Sequence, residues 1–350
     1  MTISRAARNS VIDRAALRER IAAVPRVRLA SLPTPLEHCP RLTRALGGPE
    51  IFIKRDDLTG LAFGGNKTRQ LEFLFAEILE AKPDAVIAGA YTQSNWCRQI
   101  TAASAKLGIK AHLVLIHGVK GPAPQGNLLL DRLMGAEVKV VELDDMHDLR
   151  PLLEAEAARL RAAGGRPYVI QPFDMATLST SAIGYVNAAL ELDEQLQDLG
   201  TRADHVYLAG ANITPAGLML GLKALGRSTG VTSICPIRWS DDRTADIANI
   251  ANAAAERLGL AITVDRREVS VDEGYIGERY GRVTPAGRHA LRLLAESEGI
   301  ILDPVYSSKA MAGLIDHIRK GRIGKEETAV FVHTGGNPAV FAYAEDLLGE

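Results

Sequence analysis

The stretch GGNKTRQLEF (64–73) sets Lys67 between a glycine turn and an amphipathic helix. Glycine and asparagine allow positive φ and close backbone approach. Leu71, Leu74, Phe75, Ile78 and Leu79 then recur at the spacing of a single buried helix face. The helix macrodipole disfavours a cation at this end, and partial burial acts in the same direction, so both enlarge the fraction of neutral amine. A neutral lysine amine is a nucleophile for carbonyl carbon. The commoner fate of a lysine is a snorkelling surface charge, so its neighbours decide the matter.

Three other junctions bear on it. AGANITPAGL (209–218) runs from a strand into a helix with Pro215 in the first turn. Backbone N–H groups at such a junction suit a phosphate. The segment lacks the dinucleotide fingerprint and the P-loop lysine, and alone it reads better as an ordinary helix start. In AYTQSNWCRQ (90–99), Ser94 or Asn95 caps a helix and leaves donors for a carboxylate. HTGGNP (333–338) adds Thr334 and a glycine pair before a helix. An amine, a phosphate loop and a carboxylate loop together are the parts of a pyridoxal phosphate enzyme acting on an amino acid.

These junctions need strands and helices to hold them. Strands are expected at 50–55, 84–90, 111–116, 138–143, 167–171, 205–210, 231–237, 261–265 and 329–334. Helices are expected near 68–80, 95–107, 126–134, 150–163, 180–198, 215–225, 243–258, 285–298, 308–319 and 338–347. Such alternation implies parallel sheets with helices on both faces, and ligands at the carboxyl ends of the strands. At 350 residues, 47% hydrophobic and 24% charged, the chain has ample core for two domains. A net charge of −1 gives no electrostatic case for nucleic acid or an anionic membrane. Three scattered cysteines make neither a disulfide framework nor a zinc site and fit a reducing cytoplasm. The arginine-rich first thirty residues are read as a short accessory helix, with an organelle transit peptide as the minor alternative.

The motifs LPTPLE (32–37), IKRDDLTGLAFGGNKTRQLEF (53–73), QSN (93–95), GYVNAALEL (184–192), YG (280–281), DPVYSSK (303–309) and HTGG (333–336) run through nearly the whole chain. In these the sequence resembles the tryptophan synthase β-like, fold type II pyridoxal phosphate enzymes. It is most similar to the branch holding 1-aminocyclopropane-1-carboxylate deaminase, D-cysteine desulfhydrase and L-cysteate sulfo-lyase. The resemblance implies an α/β fold of two open, mostly parallel sheets flanked by helices. It implies a large cofactor-binding domain from 1–65 and 181–350, a small domain from 66–180, and a homodimer. Lys67 would hold the cofactor covalently and then act as base at the substrate α-carbon. Asn95 would bond the ring oxygen, Ser94 with its neighbouring N–H groups the substrate carboxylate, and Trp96 would border the substrate. Gly210, Ala211, Asn212, Ile213 and Thr214 would cradle the phosphate. Tyr280 and Tyr306 would stand near the reacting side chain.

Departures from the family pattern surround the substrate and the phosphate. Ser307 stands where the cyclopropane deaminases are expected to carry a glutamate facing the pyridine nitrogen, and Asn337 replaces a leucine. A hydroxyl cannot keep that nitrogen protonated as a carboxylate does. This favours expulsion of a good β-leaving group over opening a cyclopropane. Gln70 replaces a second lysine, Ile213 a glycine and Pro215 a glutamine, while Trp96 and the segment QPFDMATLST (171–180) alter the pocket. The expected function is β-elimination from a small amino acid, D-cysteine first and L-cysteate second, giving a 2-oxo acid, ammonia and the leaving group. Rival readings are a cyclopropane deaminase, a sibling taking a bulkier amino acid, and a non-catalytic sensor on the same fold. His333 is read as supporting its strand end, Cys97 as helix packing, Arg98 as a surface charge, and Asp56–Asp57 and Asp241–Asp242 as solvated turns or stabilising pairs.

Overall fold

The computed structural model describes residues 10–171 and 173–349. Part of the expected N-terminal helical segment and Pro172 of the altered 171–180 stretch therefore lie outside the described residues. Among the described residues ten strands form two sheets: β1 (Leu36–His38), β2 (Glu50–Lys54), β3 (Ala85–Tyr91), β4 (Lys110–Ile116), β5 (Glu137–Val141), β6 (Pro167–Val169), β7 (His205–Ala209), β8 (Gly230–Ile234), β9 (Ser270–Asp272) and β10 (Thr328–Val332). The first sheet has the order β1-β2-β10-β7-β8-β9 and the second β5-β4-β3-β6. Among the described residues only β1 and β2 pair antiparallel; every other ladder there is parallel. β3 and β10 are apolar along almost their whole length and buried on both faces, as parallel strands covered by helices must be.

The helices are α1 (Arg14–Ala22), α2 (Pro40–Leu46), α3 (Asn66–Glu80), α4 (Asn95–Leu107), α5 (Gly126–Leu133), α6 (Arg150–Ala162), α7 (Met175–Asp198), α8 (Ile213–Ala224), α9 (Arg243–Arg257), α10 (Pro285–Glu298), α11 (Ser307–Arg319), α12 (Ala339–Ala342) and α13 (Ala344–Leu348). In α1, Leu17 and Ile21 are buried in one core with residues of α7, α8 and α9. The long α7 begins at Met175, its N-cap Asp174 accepting from the Thr177 amide.

Two expectations fail locally. The stretch AITVD is not a strand; only Ile262 makes a bridge, and the edge strand is β9. Side chains have taken its backbone groups: Asn252 bonds both the N–H and the C=O of Val264, and Lys223 bonds the carbonyl of Thr263. The C-terminal helix breaks into α12 and α13 at Tyr343, where φ is −118°. β1 is also present, unforeseen because three residues carry too little alternation to detect.

Candidate active site

The carboxyl ends of strands from both sheets converge on one cavity of about 160 Å³. Lys67 reaches it from the second position of α3, just after the turn that follows β2. That turn works because Gly65 has φ +121°, and because a Cβ on Gly335 would lie 2.5 Å from the Gly65 Cα. The amide of Asn66 donates to the Thr334 carbonyl at 3.0 Å, stitching the start of α3 to the loop after β10.

The first turn of α3 is anchored from behind. Arg69 is fully buried and donates to both oxygens of Asp56 (2.8 and 2.9 Å) and both of Glu191 (2.8 and 3.0 Å). Tyr185 donates to Asp56 at 2.6 Å, and Lys54 donates to Glu191 at 2.5 Å. Asp57 is held bidentately by Arg55 at 2.8 and 2.9 Å, so both members of this acidic pair stabilise the fold, whereas Asp241 and Asp242 are exposed and Asp242 caps α9.

Burial lowers the Lys67 amine to about 8, against the opposing pull of the Asp303 carboxylate. A substantial share of it is therefore neutral near physiological pH, as a nucleophile for an aldehyde must be. Ser94 is the N-cap of α4, its oxygen accepting from the Cys97 amide at 3.2 Å, so its own proton is free to be donated. Asn95 follows, its carbonyl oxygen accepting from Asn127 Nδ2 at 2.9 Å. This fixes the amide and leaves its NH2 group as the free donor. Trp96 lines the same cavity.

Arg98 overturns its reading as a surface charge. It is fully buried and donates to Asn127 Oδ1 at 2.7 Å, to the Gly64 carbonyl at 3.0 Å, and to the Ala62 carbonyl. Sequence spacing cannot show backbone carbonyls that arrive from another loop. His333 does sit at its strand end, bonding the Ile301 carbonyl at 2.8 Å and accepting from the Gly335 amide. Cys97 is buried in the core around β3.

Gly210, Ala211, Asn212 and Ile213 line the cavity at the N-terminus of α8, where first-turn N–H groups have no intrahelical acceptor. The Ile213 amide is already taken by Asn212 Oδ1 at 2.7 Å. Thr214 lies behind this wall, its hydroxyl oxygen accepting from Asn66 Nδ2 and Gln70 Nε2, both at 2.9 Å. Gln70 also faces the cavity, and its Oε1 is buried without a partner. The two ends of a carboxamide are isosteric. Reversing it lets the Thr214 hydroxyl donate to Oε1 and turns an NH2 group to the unpartnered side, a good donor for a phosphate. The residues present therefore fit a phosphorylated aldehyde: an amine at one end, and a helix N-terminus with a carboxamide donor at the other.

Tyr280 and Tyr306 line the cavity with their hydroxyls hydrogen-bonded to each other. Burial raises both phenols, reinforced at Tyr280 by its partner and at Tyr306 by Asp303. Both stay protonated and can donate. Tyr91 packs against Tyr280 with ring centroids 4.9 Å apart and the planes tilted by 38°.

Ser307, like Thr214, does not line the cavity. Its hydroxyl donates to Asp303 Oδ1 at 2.6 Å, so its geometry assigns it to that carboxylate rather than to a ring nitrogen. Thr334 of the HTGG motif and Phe173 of the altered 171–180 segment also line the cavity, as does Tyr91 beside QSN. Met146 and Trp239 line it without having been singled out, since neither carries a local signal.

The model of the family "Pyridoxal-phosphate dependent enzyme" matches residues 27–335. The chain is 40% identical over 333 residues to a D-cysteine desulfhydrase of Klebsiella pneumoniae, covering 94% of this chain and 99% of that protein. A crystal structure of an ACC deaminase homologue superposes with a TM-score of 0.86 at 36% identity, covering 95% of this chain and 98% of that one. Threonine deaminase isoform 2 of Solanum lycopersicum shares the fold at a TM-score of 0.66 and 18% identity, covering 97% of this chain and 89% of that one.

Proposed function

The chain belongs to the pyridoxal-phosphate dependent enzymes and is a lyase using that cofactor; from this we propose that it catalyses β-elimination from a small amino acid of the D-cysteine type. The products are a 2-oxo acid, ammonia and the leaving group. The observation that carries the reading is Lys67: a cavity-facing amine at a helix N-terminus, its pKa lowered to about 8 by burial.

When bound, pyridoxal phosphate supplies the electron sink that stabilises negative charge at the substrate α-carbon. Lys67 would hold the cofactor through its aldehyde end and would move the substrate's α-proton. Ser94 and the first N–H groups of α4 would bind the substrate carboxylate, and Asn95 would donate to the ring oxygen. The loop 210–214, with Gln70, would take the phosphate. Tyr280 and Tyr306, held as neutral phenols, protonate the departing sulfur. The unit built on the four-stranded sheet is the small domain, and its approach to the larger sheet excludes water from the reacting carbon.

Borohydride reduction of the cofactor-loaded protein should fix the label on Lys67 by peptide mapping, and D-cysteine should yield sulfide and pyruvate in equal amounts. An unlabelled Lys67 would refute the reading. We also propose a cytoplasmic homodimer. Leu133 of α5 and Phe341 of α12, on helices that touch, are strongly exposed and suit a second copy. A monomer mass by light scattering excludes this assembly.

A further inference from the structure

Lys67 and Lys309 both feel the Asp303 carboxylate, and only Lys67 has a task in the proposed chemistry. Lys309 is the third residue of α11 and fully buried. It lines neither the inner cavity nor the larger cleft of about 580 Å³ outside it. A helix N-terminus disfavours a cation, and burial pulls the Lys309 amine down to about 8 against the Asp303 carboxylate. A buried ammonium is costly, and a well-packed apolar side chain would fill the same space at lower cost. What the amine touches is therefore the informative feature. It donates to the backbone carbonyl of Ile276 at 2.7 Å.

Ile276 belongs to the loop 273–284, which joins β9 to α10, contains neither helix nor strand, and bears Tyr280. The loop's own backbone bonds are long: the Ile276 amide reaches the Glu273 carbonyl at 3.4 Å and the Arg282 amide the Arg279 carbonyl at 3.3 Å. Side chains of α11 hold it instead. His317 Nε2 lies 3.2 Å from Asp272 Oδ2, Asp316 accepts the Tyr275 hydroxyl, and Lys309 takes the Ile276 carbonyl. Lys309, Asp316 and His317 stand at i, i+7 and i+8, which is one face of a helix. The loop thus runs back along α11 toward the N-terminal end, where Tyr306 is the N-cap. Of the three contacts, that of Lys309 is the last before Tyr280. It fixes the peptide that leads into Gly277, whose φ is +77°. Beyond it the chain reaches Tyr280, whose hydroxyl is bonded to that of Tyr306.

We propose that Lys309 is a positioning residue for the elimination: its hydrogen bond to Ile276 holds the loop so that the Tyr280 hydroxyl meets Tyr306 where the departing group takes its proton. This role deepens the reading of the site as a β-eliminating lyase and rests on it. Lys309 lies outside the cavity and acts through Tyr280. Its importance then depends on the leaving group. Sulfide takes a proton as the Cβ–S bond breaks and the electron pair stays on sulfur, whereas chloride departs as the anion. In both cases the remaining three-carbon fragment takes up water to give pyruvate and ammonia, with no oxidant or reductant required. A loosened Tyr280 therefore slows the loss of sulfide and spares the loss of chloride.

The test measures pyruvate from D-cysteine and from β-chloro-D-alanine with the purified holoenzyme, and amide hydrogen exchange of the segment 273–284 by mass spectrometry. Lys309→Met should lower kcat for D-cysteine by ~10- to 100-fold, the scale of an ångström-level misplacement. KM should change little, and turnover of β-chloro-D-alanine should stay near that of the wild type. Exchange in 273–284 should quicken while α10 keeps its protection. Added to Tyr280→Phe, the same substitution should cause no further loss with D-cysteine, because two residues acting through one group are not additive. Lys309→Gln, a shorter neutral donor, should show the same substrate selectivity at smaller amplitude, and it decides the matter where Lys309→Met does not fold. An equal loss on both substrates overturns the inference, since Lys309 would then support the fold rather than Tyr280. So does a further loss in the double variant, or unchanged exchange in the loop; each leaves the lyase reading standing. Pyruvate from neither substrate with the wild type refutes the lyase reading and, with it, the positioning role in elimination.

Discussion

Ser307 donates its hydroxyl to Asp303 Oδ1 at 2.6 Å, and the same carboxylate accepts the amides of Val305, Tyr306 and Ser307 between 2.6 and 2.9 Å. Asp303 therefore organises the turn that presents Tyr306, and Ser307 completes its shell. Ser307→Ala should cost ~1–3 kcal/mol of stability, as expected for a buried hydrogen bond to a charged acceptor. It should leave the visible absorption of the bound cofactor in place. Chemical denaturation and the spectrum measured on one sample separate the two effects. A shifted spectrum with unchanged stability would return Ser307 to the pyridine nitrogen.

Asp303 also acts on Lys67 by holding up an amine that burial pulls down to about 8. Capture of an aldehyde requires the neutral amine, so reconstitution of apoprotein with pyridoxal phosphate should quicken as pH rises and level off above about 8. Asp303→Asn removes the opposing charge and should move that inflection to lower pH. Stopped-flow absorbance across pH 6–9 decides it, and an inflection that moves upward contradicts the electrostatic assignment.

The Arg69 network holds the first turn of α3 in place. Burial works against ionised Asp56 and Glu191, yet Arg69 keeps both carboxyls below their ordinary range. Groups with a depressed native pKa stabilise above their unfolded values, near 4, and lose that contribution as pH falls through the native ones. Arg69→Met leaves two carboxylates facing Lys54 alone and should cost ~3–5 kcal/mol at neutral pH. The deficit should shrink in acid. A pH-independent deficit would mean that lost packing, rather than charge, is responsible.

Legibility in the sequence followed the distance over which residues act. The GGNKT turn and the start of α3 could be read because glycine, asparagine and helical periodicity are local signals. QSN and AGAN could be read for the same reason. Arg98 could not, because its partners are carbonyls of Ala62 and Gly64 and a side chain in α5. The ring cluster of His147, Phe173 and Trp239 could not, because three loops bring it together. AITVD misled because its alternation was genuine, while its backbone groups were bonded by Asn252 and Lys223.

Asn127 links that misread arginine to the cofactor side. It accepts from Arg98 Nε at 2.7 Å and donates to Asn95 Oδ1 at 2.9 Å, which fixes the Asn95 amide with its NH2 group free. Asn127→Ala should release the Asn95 amide and lower kcat/KM by ~10- to 100-fold, the scale of an ångström-level misplacement. Because Asn127 also donates to the Gln93 carbonyl at 2.8 Å, next to Ser94, the loss should appear in both kcat and KM. A loss confined to KM would place Asn127 in substrate binding instead.

Asp131 of α5 is buried, and neither of its oxygens has a hydrogen-bond partner. The nearby Thr101 hydroxyl donates instead to the Cys97 carbonyl at 3.0 Å. Burial raises this carboxyl from 3.8 to about 7, partly offset by Arg98. Between those two values the native state binds more protons than the unfolded chain, so this group makes stability fall as pH rises through the window. Asp131→Asn abolishes the titration. Relative to wild type, the variant should gain ~1–3 kcal/mol between pH 5 and pH 8. Urea unfolding at both pH values measures the gain. If the two proteins keep a constant difference, Asp131 is ionised throughout, and Arg98 must be neutralising it more closely than its hydrogen bonds to Asn127 and Gly64 indicate.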